Sequence, residues 1–433
     1  MNLLTSTHSY KSQRTTIWLV GVFFLLFQFF LQLSSGIVIG AIMHEKHLTA
    51  FTAGLLSSAF YYIYTTMQIP VGLLFDRFNT RTLMSLNALL CALGCFLFST
   101  GYNLFVLFLG RLIIGGGSAF AFVGMTRILR QHYPLKQYAF MIGLTETLGF
   151  TVTVFSMIGM GSQINHISWH YFLAGSGVIG LLIAILCATF IPSNKPVISN
   201  YQQYKNHLVL MLKNKLIWFN GVFVGLEFSV ITVFAAMWAV PFLQLKLNCS
   251  LECASILTSM ILLGAGLSCP IYGWLSIQLS RRKPLIHISC LSTAILFILV
   301  LYLPIDHILL VGVLLFAIGL CCGAYMLAFT IANELAPPES LSACTGFTNT
   351  LAMATAPLLQ PLVGYLLDYF KGNSNIHTLG DYQLTLLIIP AALVIASVLS
   401  HFLPEKRCND DINVGISLRI NRLELAIYAQ KLD

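Results

Sequence analysis

Long apolar segments recur along the whole chain, and short polar segments separate them. A helix that crosses a bilayer needs about 20 apolar residues, and each of these segments is about that long or longer. Because the polar breaks are short, we predict consecutive membrane-spanning helices with few residues outside the bilayer. Twelve such segments are predicted, at residues 17–43, 51–75, 82–101, 104–128, 138–162, 170–191, 216–243, 253–278, 285–303, 307–333, 342–369 and 380–403.

The composition agrees with a membrane protein and excludes two other classes of protein. Of the 433 residues, 57% are hydrophobic and 9% are charged, whereas soluble domains carry roughly 25% charged residues. So few charges cannot cover the surface of a soluble enzyme of this length, and disorder requires low hydrophobicity with high charge. We therefore predict an all-α membrane protein.

The cysteines and histidines do not form the patterns of a metal site or an enzyme. Most of the eleven cysteines lie inside apolar segments, as Cys322 does, without the spacing of a zinc site. We interpret them as small packing residues. His132, His166, His170 and His401 do not form a His-Asp or similar nucleophilic pair at an interface, which a membrane-bound enzyme would need. This argues against a membrane-bound enzyme such as an acyltransferase, and we expect neither a metal nor a cofactor.

The distribution of Lys and Arg predicts the orientation of the chain. With the amino terminus inside, the inner segments hold nineteen of the 23 basic residues and the outer loops hold three. Cytoplasmic loops of membrane proteins carry such an excess of Lys and Arg. We therefore predict that both termini are cytoplasmic. The basic residues are dispersed along the chain, so they do not indicate a nucleic-acid partner.

The sequence divides into two related halves. The segment Trp18-x-x-Gly-Val-Phe returns at Trp218, and GLLFDRFNTR at 72–81 returns as GWLSIQLSRR at 273–282. Offsets of 200 and 201 residues at equivalent helices indicate a duplicated six-helix unit, which is typical of secondary transporters. The predicted parts are a tail at 1–16, a six-helix bundle at 17–191, a central loop at 192–215, a second bundle at 216–403 and a tail at 404–433.

The repeated segment at 72–81 resembles the signature loop of the major facilitator superfamily. That signature, G-x-L-x-D-R-x-G-R-[RK], is matched at Gly72, Leu74, Asp76, Arg77 and Arg81, while the Gly-Arg pair is replaced at 79–80. The resemblance implies a twelve-helix transporter with two pseudo-symmetric six-helix bundles. It also implies that Asp76, Arg77 and Arg81 help to close the cytoplasmic side.

Two further motifs extend the resemblance. Arg111-x-x-x-Gly115 in the fourth helix is similar to the second motif of the superfamily, and Gly273, Arg281 and Arg282 match the signature in the second half. Ile277 and Gln278 replace the acid–base pair there, so the cytoplasmic latch is expected to depend mostly on the first half. The segments at 119–124 and 360–368 look like bacterial members of the sugar-phosphate-permease-like branch.

Three ionisable residues are candidates for proton coupling or substrate binding, because charged groups at membrane depth are costly and usually functional. Glu227 lies about 16 Å into the seventh helix at 1.5 Å per residue, so it is the first candidate for proton coupling. Glu146 in the fifth helix and Arg111 in the fourth lie at similar depth and are expected to be able to pair. The alternative for all three residues is a purely structural role.

Polar and aromatic residues in the middle of the helices are candidates for lining a cavity. The resemblance implies that helices one, four, seven and ten flank such a cavity. Packing is the alternative for each residue. The candidates are Gln28, Gln32, Tyr64, Trp238, Tyr325, Asn349 and Gln360.

Together these observations predict a secondary transporter of the bacterial inner membrane that works by alternating access, and the resemblance implies a monomer. Proton-coupled uptake of a small polar nutrient, an amino acid or an organic acid, is favoured, with the proton gradient as the driving force. The alternative is an exporter or antiporter, or a siderophore transporter, of the same superfamily. The fifth helix lacks the Gly-Pro pair of drug-exporting antiporters between Thr145 and Gly161, which favours uptake.

Overall fold

The computed structural model describes residues 2–33, 35–133, 135–164, 166–193, 209, 212–279, 281–304, 307–335, 341–371 and 377–405. These residues are almost entirely helical. The first six membrane helices are α1 (Asn2–Leu33 and Ser35–Glu45), α2 (Ala50–Arg77), α3 (Thr80–Thr100), α4 (Leu104–His132), α5 (Leu135–Gln163) and α6 (Trp169–Phe190).

The second six helices include two that change their helix type midway. They are α7 (Lys215–Ser229, Val230–Trp238 and Ala239–Leu247), α8 (Leu251–Gln278), α9 (Lys283–Tyr302), α10 (Ile308–Cys321, Cys322–Met326 and Leu327–Leu335), α11 (Leu341–Lys371) and α12 (Leu379–Leu386 and Ile388–Ser400).

The prediction of twelve membrane-spanning helices in two bundles is confirmed. Among the described residues, eleven segments are long and apolar enough to cross a membrane. The twelfth crossing is α2, which has 28 residues but a more polar middle, since it carries Tyr61, Tyr62, Tyr64 and Gln68. The helix α1 begins at Asn2, so the predicted tail at 1–16 is mostly a helical extension. Most of the central loop and residues 406–433 lie outside the described residues.

Polar side chains fix where many of the helices begin. Thr49 accepts a hydrogen bond from the backbone N–H of Thr52 at the start of α2, and Asn103 accepts one from Val106 at the start of α4. Such N-caps satisfy backbone donors that have no partner within the helix and contribute about 1 kcal/mol each. At the other end of α3, Gly101 has a φ of 57°, a left-handed conformation that glycine adopts without steric cost.

The two ends of the molecule differ in charge. We call the end that holds Arg81, Arg130 and Arg282 the basic end, and the end that holds the loops at 46–49, 101–103 and 248–250 the opposite end. On the predicted topology the basic end faces the cytoplasm. Between the ends, the two bundles meet where α2 packs on α11, α5 on α8 and α1 on α7.

The seventh helix changes type in the middle of the membrane. Residues Val230–Trp238 form a π-helix of nine residues, a rare conformation that is often found at functional sites. Two of its backbone carbonyls accept hydrogen bonds from other helices: Thr232 from Gln360 of α11 at 2.6 Å, and Ala236 from Ser35 of α1 at 3.4 Å. The π-helix therefore provides acceptors to the neighbouring helices.

Candidate transport site

A cavity of about 420 Å³ lies between the two bundles. Arg127, Arg130 and Gln131 line it near the end of α4, and Arg130 is exposed. The cavity therefore opens at the basic end. It reaches as far as Gln32 and Leu33 of α1 in the membrane interior, and a volume of this size suits a small-molecule ligand.

The polar wall of the cavity is formed mainly by α1 and α2. Gln28 and Gln32 lie one turn apart on α1, so they share a face, and the amide of Gln28 donates a hydrogen bond to Gln32. The amide of Gln32 in turn donates to the sulfur of Met353 at 3.4 Å. On α2, Tyr64 and Gln68 line the same cavity. This wall therefore presents amide and phenol groups to a ligand.

Several of these polar groups are buried without a partner among the described residues. Both side-chain amide atoms of Gln68 make no hydrogen bond, nor do the nitrogen of Asn349 and the oxygen of Gln28. Buried polar groups are nearly always hydrogen-bonded in folded proteins. In an open cavity such donors and acceptors are available to water or to a polar ligand.

Glu146 supplies a carboxyl group to this cavity. It lies on α5, lines the cavity together with Ile142 one turn away, and is 8% exposed. No described residue forms a hydrogen bond or ion pair with it. Its carboxyl group is thus available to bind a proton or a donor group of a ligand.

Arg111 lies apart from Glu146, and the pairing expected from their similar depth is not formed. Its Nη1 donates to the carbonyl of Leu31 at 2.8 Å, and its guanidinium lies 5.0 Å from the centre of the Phe60 ring. Arg111 lines a second, smaller cavity, whereas Glu146 lines the large one. Whether two residues on neighbouring helices meet depends on the faces of the helices that carry them, which residue counts do not give.

Glu227 lies inside the second bundle and does not line the cavity. It is completely buried, and one carboxyl oxygen accepts a hydrogen bond of 2.6 Å from Ser289 of α9. The other oxygen has no partner among the described residues. The next residue, Phe228, does line the cavity, together with Tyr325, and their ring centres are 4.7 Å apart. Aromatic rings thus form the cavity wall beside Glu227.

Five of the seven candidates for lining a cavity do so, and two do not. Gln28, Gln32, Tyr64, Tyr325 and Asn349 line the large cavity, whereas Trp238 and Gln360 are absent from its wall. Trp238 is the last residue of the π-helix and is buried. The amide nitrogen of Gln360 donates to Thr232, and its oxygen accepts from Ser58 of α2 at 3.3 Å.

Contacts between the bundles close the opposite end. The carboxylate of Asp368 on α11 accepts hydrogen bonds from the backbone N–H groups of Ala50 at 3.2 Å and Phe51 at 2.8 Å. These donors belong to the first turn of α2, where the helix dipole favours a negative charge. Further along, Tyr62 donates to the carbonyl of Pro357 at 3.0 Å. The structure is therefore open at the basic end and closed at the opposite end.

Comparison with known families agrees with this architecture. The profile of the Major Facilitator Superfamily matches residues 17–359 and 217–410. The chain belongs to the Major Facilitator Superfamily.

Individual members of this superfamily show more distant similarity. A probable galactarate/D-glucarate transporter of Escherichia coli K12, GarP, is 23% identical over 368 residues, which cover 75% of this chain and 81% of GarP. A probable galactarate/D-glucarate transporter of Bacillus subtilis, GudP, is 26% identical over 153 residues, which cover 34% of this chain and 33% of GudP.

A solved structure of the superfamily shares the fold. A bacterial homologue of the human lysosomal transporter Spinster, in an inward-facing and unoccupied conformation, superposes with a TM-score of 0.73 at 16% identity, covering 90% of this chain and 96% of that one. This likeness concerns the fold. The match to the superfamily profile shows that the present chain is a membrane transporter and not an enzyme.

The superfamily signature residues lie at the basic end. Gly72 lines the cavity, and the Nε of Arg81 donates to the carbonyl of Ile191 at 2.5 Å within the first bundle. The side chains of Asp76 and Arg77 lie outside the described part of the chain. The gate role of these residues stays a prediction.

The second half carries an ion pair that sequence reasoning missed. Arg282 binds Glu334 of α10 through two hydrogen bonds of 2.6 and 2.7 Å, while Arg281 is exposed and Gly273 is half-buried on α8. Fifty-two residues separate the two partners, so no local pattern indicated the pair. Arg81 and Arg282 both bind within their own bundles, as expected where the basic end is open.

Proposed function

We propose that this transporter takes up a small polar nutrient, an organic acid or an amino acid, together with protons. The observation that carries the proposal is the position of Glu146 in the large cavity, beside amide groups of Gln68 and Asn349 that have no partner among the described residues. A proton carrier needs access to both the ligand and the solvent. The position of Glu146 in the cavity wall supports this role, whereas Glu227 is buried outside that wall.

The cavity wall and the similar proteins together favour an organic acid among small polar nutrients. Its neutral amides suit hydroxyl and carbonyl groups, and Arg127 and Arg130 at the mouth place positive charge where an anion enters. GarP and GudP are named as probable transporters of sugar acids. A carboxyl group that binds a proton before an anionic ligand arrives removes the repulsion between the two.

Alternating access supplies the transport cycle. On the predicted topology, the structure is the state that is open to the cytoplasm, and the reverse state requires the contacts of Asp368 and Gln360 to break. We propose that the protein acts as a monomer in the bacterial inner membrane, with both termini in the cytoplasm, and that it takes up its substrate across this membrane.

Proton flux in proteoliposomes tests the proposal. Vesicles that contain a pH-sensitive dye are challenged with pools of organic acids, amino acids and sugars, using the parent, Glu146→Gln and Glu227→Gln. We expect one pool to drive proton entry in the parent, and Glu146→Gln to abolish it while exchange of labelled substrate continues. Glu252→Gln, which changes an exposed carboxyl at the opposite end, is the matched control.

The other outcomes identify the rival functions. If Glu227→Gln alone abolishes proton entry, the carrier is Glu227 and the assignment to Glu146 is wrong. If substrate moves only outward when the vesicle exterior is acidified, the chain is an exporter, and proton-coupled uptake is excluded.

A further inference from the structure

The smaller cavity lies in the first bundle and is separate from the large one. It has a volume of about 20 Å³, room for one water-sized species. The two cavities have no lining residue in common. Its wall includes Leu31, Ser35, Phe98, Met160, Ser176 and Arg111.

Arg111 is the charged residue of this wall, and two of its three guanidinium nitrogens, which carry three of its five N–H donors, have no partner among the described residues. The side chain is 3% exposed, and Nη1 is occupied by the carbonyl of Leu31. Nε and Nη2 are buried and have no partner among the described residues. These two nitrogens form one edge of the planar guanidinium, and their N–H bonds point in nearly parallel directions. Such an edge binds an anion through two hydrogen bonds.

No carboxylate of the described residues balances this buried charge. Glu146 lines the other cavity, and Glu227 is bound by Ser289 in the second bundle. Charged groups at membrane depth almost always pair with one another or with backbone carbonyls. The carbonyl of Leu31 binds one side of the guanidinium but carries no formal charge, and burying an ion without a counter-charge is strongly unfavourable. The guanidinium edge therefore lacks the counter-ion that its position requires.

The size and chemistry of the cavity indicate which anion fits. Ser35 and Ser176 line it, but their hydroxyl protons are already donated to backbone carbonyls. The hydroxyl of Ser35 is shared between Gln32 at 3.0 Å and Ala236 at 3.4 Å, and that of Ser176 donates to Phe172 at 2.8 Å. The rest of the wall named above is apolar. A carboxylate has three heavy atoms and is too large, whereas a monatomic, weakly hydrated anion fills the space of one water.

We propose that Arg111 and this cavity form a binding site for a single halide ion, chloride in the cell, distinct from the transported substrate. The ion neutralises the guanidinium in the state that is open at the basic end. It therefore stabilises this state without occupying the large cavity.

Thermal unfolding of the purified full chain tests this site. The midpoint Tm is measured at constant ionic strength in sodium chloride, sodium bromide, sodium acetate and sodium gluconate. We expect chloride and bromide to raise Tm in a saturable way, acetate and gluconate to have no such effect, and Arg111→Met to abolish the halide dependence completely. Arg281→Gln removes an exposed arginine and is expected to retain it.

A second variant keeps the test decisive if Arg111→Met does not fold. Ser176→Val fills the cavity while the charge of Arg111 remains, and the saturable halide effect is expected to disappear. A halide effect of the same size in the parent and in either variant would overturn the proposal, because it would then arise elsewhere. Stabilisation by acetate but not by chloride would overturn it too, since the site would then be one for carboxylates.

Discussion

Gln360 joins three helices across the two bundles, and its removal should favour opening at the opposite end. In Gln360→Met the volume is nearly retained, but the hydrogen bonds to Thr232 of α7 and from Ser58 of α2 are lost. Hydrogen bonds between membrane helices contribute about 0.6 kcal/mol on average and up to about 1.7. Only the bond from Ser58 joins the two bundles, because α7 and α11 both belong to the second. Its loss therefore changes the balance by about 0.6–1.7 kcal/mol, which corresponds to a factor of about 3–20 in the ratio of open to closed molecules.

Distances between spin labels report this population directly. Labels at Lys46→Cys and Glu252→Cys lie on different bundles at the opposite end, in a background where Cys249 and Cys253, both partly exposed, are replaced by alanine. We expect the ratio of molecules with the longer distance to molecules with the shorter distance to rise by about the factor given above. Gln163→Met changes an exposed glutamine at the same end and should leave the distribution unchanged.

One result would refute this reasoning. If Gln360→Met is as stable as the parent and its distance distribution is the same, the hydrogen bond from Ser58 persists in both states or contributes nothing to closure. Closure would then depend on Asp368 and on the packing of α2 against α11.

Three further predictions follow from other contacts. Gly54→Leu should prevent closure of the opposite end, because a Cβ there would lie 2.6 Å from the carbonyl oxygen of Gln360. Gly40→Leu is the control, because a Cβ at Gly40 meets open space. The spin-label distances described above measure the effect of both variants. Glu334→Gln should lower the free energy of unfolding by about 1–3 kcal/mol, since the partly buried Arg282 loses its charged partner. The exchanged pair, Arg282→Glu with Glu334→Arg, should restore part of the lost stability, as measured by thermal unfolding. Burial lowers the pKa of His377, which lies outside the membrane segments, below its ordinary value of 6.5. As the pH falls from 6.5 towards the lowered pKa, the unfolded chain binds more protons than the folded one, so acidification over this range should destabilise the fold. The variant His377→Gln should reduce that pH dependence.

The architecture could be predicted from the sequence because it depends on local patterns of apolar and polar residues. Each apolar segment is long enough to cross the bilayer, and the polar loops mark the ends, so twelve helices and their division into two halves could be predicted. The signature around Gly72 and the residues Arg111 and Gly115 identified the superfamily.

The faces of the helices could not be obtained in the same way. Glu227 lies just before the π-helix, and nothing in the uniformly apolar segment after it predicts that change of helix type. Whether a buried group meets the cavity depends on the rotation of its helix, which decides between Glu146 and Glu227. The role of Gln360 and the pair of Arg282 and Glu334 depend on contacts between distant segments, and no spacing within one segment indicates such contacts.

The unequal origin of the cavity wall has an evolutionary consequence. Gln28, Gln32, Tyr64, Gln68 and Glu146 all come from the first bundle, while the second contributes Asn349 and Tyr325 among mainly apolar side chains. After the ancestral duplication, the two copies were therefore free to diverge in different directions. New ligand preferences can arise by mutation of the first bundle, while the second bundle retains the mainly apolar wall against which the first one moves.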